Sequence, residues 1–378
     1  QQAVGRFTFY AMAPAVYNIG IIIGAQFFTG GINIMGWQVF EGGIMGVALG
    51  VVLGSIMQLI ISAVGLIGLG FDYQFKIFWK NTGFRKVLRL LPARSLDQGL
   101  DYVNSIVEIN LSSGMGAGTI RAFQQASTLS LLPVNLIGVS ISNAYFPQMA
   151  NTVSAGDDKQ LRHDLRRITR MIVWIILPVA TVMFFARGYI SSFLVEGGAP
   201  LISGILGCLV IAILFRTIYH IGARYFYAHQ DTRTPLYISV FSIVLNIILA
   251  VIFTRQFNMG AYGLAWAQSI MAAVEVAVLY VIISKRVPGL FDIYFMKAIG
   301  RMLSATGFTA IVSYIIVRLF QLQSTDSGFW SIFPKFAVIS IVSFGFYLWV
   351  SKMLKLEEAE PVVDRLMKIF FGRAGVKR

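Results

Sequence analysis

The sequence predicts an all-α polytopic membrane protein with about ten transmembrane helices. Three observations predict it. The chain of 378 residues is 57% hydrophobic and only 13% charged, with a mean hydropathy of +0.73. Soluble domains carry about twice that charged fraction. Apolar stretches near the ~20 residues needed to cross a bilayer recur along its whole length. The basic residues fall on one side of the topology those stretches define.

The apolar stretches lie at 8–30, 43–69, 91–113, 118–149, 169–187, 201–224, 235–254, 260–284, 302–320 and 334–353. With the first residue placed in the cytoplasm, most of the 31 Lys and Arg fall on the cytoplasmic side, including Lys76, Lys80, Arg85, Lys86, Arg89 and the 159–170 cluster. Only Arg187, Arg255, Arg318 and Lys335 fall on the opposite side. This asymmetry is the positive-inside rule, and it puts the C-terminus in the cytoplasm. The net charge of +14 is therefore topogenic, and a nucleic-acid partner is not expected.

Residues 1–69 predict two helices, followed by a basic cytoplasmic linker over 70–90. The second helix carries Gly42, Gly46, Gly50, Gly54 and Gln58 at intervals of four. Small residues on one face predict close helix packing. Residues 91–286 predict six helices, with 151–168 as an amphipathic surface helix on the cytoplasmic side. Residues 287–353 add two helices, and 354–378 form a charged cytoplasmic tail.

Two stretches resemble each other. Val16-Tyr17-Asn18-Ile19-Gly20-Ile21, followed by Gly43-Ile44-Met45-Gly46-Val47-Ala48-Leu49, matches Val244-Leu245-Asn246-Ile247-Ile248-Leu249, followed by Gly260-Ala261-Tyr262-Gly263-Leu264-Ala265-Trp266. A six-helix unit repeated in one orientation is a common way to build a transporter. If the second copy closes such a unit, so does the first, and four helices are expected to precede Gln1.

Polar side chains form stripes inside the apolar stretches. In the third, Arg94, Asp97, Asp101, Ser105 (or Asn104), Glu108 and Ser112 recur every three or four residues, which places them on one helix face. Each such charge costs about 2.5–3.5 kcal/mol at a helix centre on insertion scales, so the stripe must face protein or water. Arg94 can pair with Asp97 one turn on, whereas Asp101 and Glu108 are expected to lack a partner on their own helix. In the fourth, Arg121, Gln124 (or Gln125), Thr128, Asn135 and Ser142 share a face. The sixth carries Arg216, His220, Arg224 and Tyr227. These stripes suit the lining of a hydrated cavity, against the plainer reading of packing faces and of snorkelling arginine. Guanidinium forks suit phosphate or carboxylate, and isolated carboxylates suit a proton or a coupling cation.

The stripes suit binding rather than bond-making. No paired nucleophile and base, phosphate loop or metal-ligand spacing is present, so neither catalytic residues nor a metal or cofactor are expected. Cys208 is the only cysteine, and the three histidines are scattered.

Several motifs carry a family resemblance. Leu132-Pro133-Val134-Asn135-Leu136-Ile137-Gly138-Val139-Ser140-Ile141-Ser142, then Phe146-Pro147, resembles the eighth-helix signature of the MurJ/MviN lipid II flippases, a branch of the MOP superfamily. Arg224-Tyr225-Phe226-Tyr227-Ala228-His229-Gln230-Asp231-Thr232-Arg233-Thr234-Pro235 resembles a second motif of that family. Ala13 to Asn18 is similar to the start of its fifth helix, and Val103 to Glu108 to its seventh. The resemblance implies a MOP-type flippase fold of fourteen helices in two six-helix lobes with two C-terminal helices. Here that means a partial N-lobe, a full C-lobe and the C-terminal pair, which forms a groove for a lipid tail. It implies a monomer of the bacterial inner membrane that flips undecaprenyl-pyrophosphate-linked peptidoglycan precursor by alternating access. Two departures stand out. Thr128 occupies the place of a family arginine, with Arg121 two turns earlier. Some members hold a cation between the seventh, eleventh and twelfth helices. Glu108 and Asn246 fit such a site, but Ala250 and Gln268 replace an expected acid and Thr, which weighs against sodium. Membrane potential, a proton or sodium remain as coupling sources, sodium the least favoured. The competing readings are an exporter of other lipid-linked sugars or of cationic drugs, an inactive fragment, and a membrane polymerase using Glu196 in the loop at 188–200.

Overall fold

A computed structural model describes residues 7–34, 37–40, 42–70, 79, 81–116, 118–193, 200–323, 326 and 328–360. The tail beyond 360 and Glu196 lie outside them. Among the described residues the helices are α1 (Phe7–Ile23), α2 (Ile44–Val64), α3 (Thr82–Ser113), α4 (Thr119–Pro133), α5 (Ser140–Ser154), α6 (Asp158–Phe185) and the short α7 (Arg187–Ser192). They continue with α8 (Pro200–Ala228), α9 (Arg233–Val251), α10 (Gly260–Arg286), α11 (Ile293–Leu319) and α12 (Phe329–Met353). Three π-helical turns extend or join them: π1 (Gly24–Phe28), π2 (Val134–Val139) and π3 (Ile252–Gln256). A small antiparallel hairpin, β1 (Ile32–Ile34) with β2 (Trp37–Phe40), sits between α1 and α2. The sequence shows only a short loop there.

Among the described residues, nine helical spans are long and apolar enough to cross a membrane. The third predicted stretch is not one of the nine, although α3 is long enough at 32 residues. Its charges exclude it. The predicted surface helix at 151–168 is a correction. Those residues are the last turn of α5, a tight turn and the first turns of α6. Gly156 takes a left-handed conformation at φ 68°, and Asp157 caps α6 by accepting from the Gln160 amide at 2.9 Å. The amphipathic pattern belongs to the first turns of α6, where Leu161, Leu165 and Ile168 are buried in the core and His163 and Arg167 between them are exposed.

The chain falls into two compact units, Gln1–Val87 and Leu88–Arg378, divided within the first turns of α3. In the first unit the glycine stripe has a direct geometric reason. A Cβ on Gly20 would lie 2.3 Å from the Cα of Gly54, and one on Gly24 would lie 2.3 Å from the Cα of Gly50. No side chain fits between the two backbones, so α1 and α2 close on a zipper of glycines.

The second unit is built around α8. Leu206 and Leu209 are fully buried among Ala126 of α4, Ile176 of α6 and Leu264 of α10. Toward the other end of the same helix, Ile221 and Phe226 pack with Leu165 and Ile168 of α6 and with Leu279 and Ile283 of α10. On its other side α6 meets α11 and α12 through Trp174, Met302 and Tyr347. The Trp174 indole donates to Ser351 at 3.2 Å. Outer faces remain apolar, with Phe241, Ile248, Phe308 and Ile341 exposed, as lipid-facing helices require.

The repeat seen in the sequence reappears as geometry. In the first copy α1 turns into π1 at Gly24, six residues after Asn18. In the second, α9 turns into π3 at Ile252, six residues after Asn246. In each copy a glycine of the next helix packs on that π turn: Gly46 against Phe28, and Gly263 against Phe253.

Replacing Gly50 by Val is expected to destabilise the α1–α2 pair by about 1–3 kcal/mol, the usual cost of overpacking. Thermal unfolding in detergent measures it. An unchanged midpoint would show that the backbones do not meet there.

Candidate functional site

Most of the expected polar stripe lies opposite the core contacts of α4. Ala122, Phe123, Ala126 and Ser130 are buried, while Arg121, Gln124 and Thr128 of α4 and Asn135 of π2 are exposed. These exposed side chains are therefore not a packing face within this unit. Ser142, expected on the same face, is a correction: it lies in α5 and is buried, because the π2 turn breaks the α-helical spacing between it and the others. Thr128 donates back to the Gln124 carbonyl at 2.9 Å, so its hydroxyl is spent on its own helix.

The next stretch of the same span leaves the α-helical hydrogen-bond pattern for a chemical reason. Pro133 has no N–H to donate, and π2 follows it directly. The Ser140 hydroxyl donates to the Asn135 carbonyl at 3.0 Å. Gly138 sits where a Cβ would come within 3.0 Å of the Thr217 backbone, so this glycine lets π2 lie against α8. Pro147 is exposed within α5.

Beyond π2, α5 lies beside the end of α8, where Arg224 is held. Its guanidinium donates to Asn143 Oδ1 at 2.5 Å. It lies 5.5 Å from the ring centre of Phe146 and 5.7 Å from that of Tyr227. Two aromatic faces and one amide fix the side chain while leaving it half-buried. Phe146 was visible in the sequence only as part of a motif, and Asn143 not at all; both sit on one turn of α5 that packs against α8.

Beyond Arg224, the Asp231–Pro235 motif is a clamp between helices. The Asp231 carboxylate accepts from the Thr234 amide at 3.1 Å and from its hydroxyl at 2.7 Å, capping α9. Arg286, at the end of α10, pairs with Asp231 at 2.8 Å and lies over the Phe226 ring at 5.0 Å. Pro235 occupies the first turn of α9, where no intrahelical partner for an N–H exists. Thr232 precedes α9 and is exposed. Partial burial works against ionisation of Asp231. The two Thr234 hydrogen bonds and Arg286 outweigh it and hold the carboxyl below its ordinary value.

The other charged candidates lie on α3. Arg94, Asp97 and Asp101 fall on its helical backbone, but their side chains lie outside the described residues. Glu108 is described and is 8% exposed. Three amide groups converge on its Oε1: Gln268 of α10 at 2.8 Å, Asn246 of α9 at 3.0 Å and Asn104 at 3.1 Å. The expectation that Glu108 lacks a partner on its own helix is corrected, since Asn104 stands one turn earlier on the same face. Asn246 also donates to Asn104 Oδ1 at 2.7 Å. Arg216 of α8 donates to Gln268 Oε1 at 3.2 Å. One buried carboxylate thus ties α3 to α9 and α10, and through Gln268 to α8. In the sequence the resemblance placed Gln268 near Glu108 only as a departure from a cation site, with nothing to show that its amide donates to the carboxylate.

Chemically, the described residues of these stripes offer anion-binding guanidinium groups and, in Glu108, an acid bonded internally by amides. Among them no group of three or more His, Cys, Asp or Glu side chains could hold a metal ion.

The family model described as "Lipid II flippase MurJ" matches residues 1–336. The chain is 25% identical over 282 residues to the probable lipid II flippase MurJ of Borreliella burgdorferi, a match that covers 73% of this chain and 53% of the relative. It is 23% identical over 368 residues to the Thermotoga maritima protein of the same name, covering 95% of this chain and 68% of that one. A solved structure titled "Lipid II flippase MurJ, inward closed conformation" superposes with a TM-score of 0.69 at 25% identity, covering 91% of this chain and 66% of the other. The chain thus spans about half to two thirds of the length of the proteins it matches.

Two outcomes follow from this geometry. Glu108→Leu strands three amide donors and is expected to cost about 1–3 kcal/mol for each one left unsatisfied. Glu108→Gln keeps an acceptor oxygen and should cost less. Chemical or thermal unfolding of both variants ranks them, and equal stability of Glu108→Leu and wild type would contradict the cluster. Because the Asp231 carboxyl sits low in the fold, its contribution is present above the ordinary value of about 4 and is lost as pH falls through the folded value. The stability gap between wild type and Asp231→Asn should hold constant from pH 7 to about 5 and close in more acid solution. A gap that widened on acidification would contradict the clamp.

Proposed function

This chain belongs to the MurJ lipid II flippase family, and from that premise we propose that it binds and translocates an undecaprenyl-pyrophosphate-linked peptidoglycan precursor. In this reading the precursor crosses from the inner to the outer leaflet of a bacterial cytoplasmic membrane by alternating access. The chain acts as a transporter and carries out no bond chemistry.

The observation that carries the reading is the setting of Arg224. A guanidinium in a membrane-spanning helix, propped between Phe146 and Tyr227 and anchored by Asn143, is preorganised for an anion. A pyrophosphate offers the paired oxygens that a guanidinium fork binds best. Arg121 and Arg216 supply further positive charge on α4 and α8. A cationic drug would meet repulsion at the same positions. The lipid tail would lie along α11 and α12, whose outward faces carry Phe308, Ile311 and Ile341. We place the C-terminus in the cytoplasm on the distribution of Lys and Arg. The working form is taken as a monomer, driven by membrane potential or a proton.

Binding of the purified chain to fluorescent lipid II in proteoliposomes tests the reading, with undecaprenyl phosphate and a cationic dye as controls. Lipid II should bind in preference to both. Arg224→Ala should weaken it about tenfold or more, the loss of one charge-assisted hydrogen bond. Preferential dye binding, or lipid II binding untouched by Arg224→Ala, would overturn it.

A further inference from the structure

The resemblance to flippases with a cation between three helices makes a specific demand on the cluster around Glu108. A metal cation needs oxygen lone pairs, and a hard ion such as Ca²⁺ takes six or more. The cluster presents mainly N–H groups. Gln268, Asn246 and Asn104 all aim amide nitrogens at Glu108 Oε1. The oxygens of two of these amides are already used: Asn104 Oδ1 accepts from Asn246, and Gln268 Oε1 accepts from Arg216. Asn246 Oδ1 is the one buried amide oxygen of the three without a partner. Ala250, where the resemblance expects a second acid, is 1% exposed and offers no ligand. Among the described residues, Glu108 and one amide oxygen are too few for a cation, and three donors stand in its place.

We propose that this chain stabilises its buried Glu108 internally, with Gln268 relaying the positive charge of Arg216 to the carboxylate, so that no metal cation is bound there. The amide of Gln268 is suited to that role because it accepts from a guanidinium at one end and donates to a carboxylate at the other. Each bond polarises the next in a low-dielectric interior. Gln268 and Arg216 are thus positioning residues: they hold α10 and α8 to α3 without themselves requiring an ion. The inference rests on the cluster alone and is independent of the substrate carried.

Thermal unfolding of the full chain in detergent tests it, in sodium chloride and in choline chloride at equal ionic strength. A ligand that binds only the folded state raises the midpoint with concentration. The wild-type midpoint should be the same in both salts. A saturable rise specific to sodium would overturn the proposal. A double-mutant cycle with Arg216→Met and Gln268→Leu tests the relay itself. The double variant should lose little more than the worse single variant, because either change breaks the same path. Fully additive losses in midpoint would overturn the relay. The wild-type comparison of salts stands even if a variant fails to fold.

Discussion

A buried acid in a membrane bundle has no water to satisfy it, and the organisation of the second unit depends on how Glu108 is satisfied. Unpaired, such a group is too costly to persist in an apolar interior. The chain meets the requirement with side-chain amides from three helices, Asn104, Asn246 and Gln268. Because those amides come from α3, α9 and α10, their placement fixes how these helices approach one another. Hydrocarbon packing alone specifies such contacts weakly, since lipid tails solvate an apolar face as well as another helix does.

The same economy appears at other contacts. Where no polar pair is available, small residues bring backbones together, as in the glycine zipper of α1 and α2 and at Gly138 against Thr217. Where helices end at the membrane surface, charge pairs lock them. Asp231 with Arg286 joins α9 to α10, and Arg166 with Asp292 at 2.7 Å joins α6 to the start of α11. The π turns supply the remaining freedom. π2 follows a proline that cannot complete the helical ladder, and π1 and π3 recur at matching places in the two copies of the repeat. Arg224 is held against this scaffold, because α5, which follows π2, carries Asn143 and Phe146 to it.

Much of the fold was legible because the bilayer imposes length and apolarity on every span. The glycine stripe, the repeated Asn18 and Asn246 segments and the polar face of α4 could all be read from spacing. What escaped was set by tertiary contact. Hydropathy stops α3 at its charges, yet its helix begins at Thr82, because helical hydrogen bonding does not require apolar side chains. The 151–168 stretch read as a separate helix, because amphipathic spacing does not reveal that Gly156 and Asp157 make a turn there. Asn104 was visible one turn from Glu108, but only the approach of α9 and α10 shows that the amides point at its carboxylate. Gln268 lies 160 residues along the chain from Glu108, so only the family resemblance set the two at one site, and no local pattern showed the hydrogen bond between them.

The most direct measurement is a cryo-electron microscopy map of the chain in sodium-containing buffer, sharp enough to place side-chain amides. The account predicts the Gln268 carboxamide bridging Glu108 and Arg216, with no metal density between Glu108 and Asn246. Density for a cation at that position, with Gln268 turned away from the carboxylate, would contradict it.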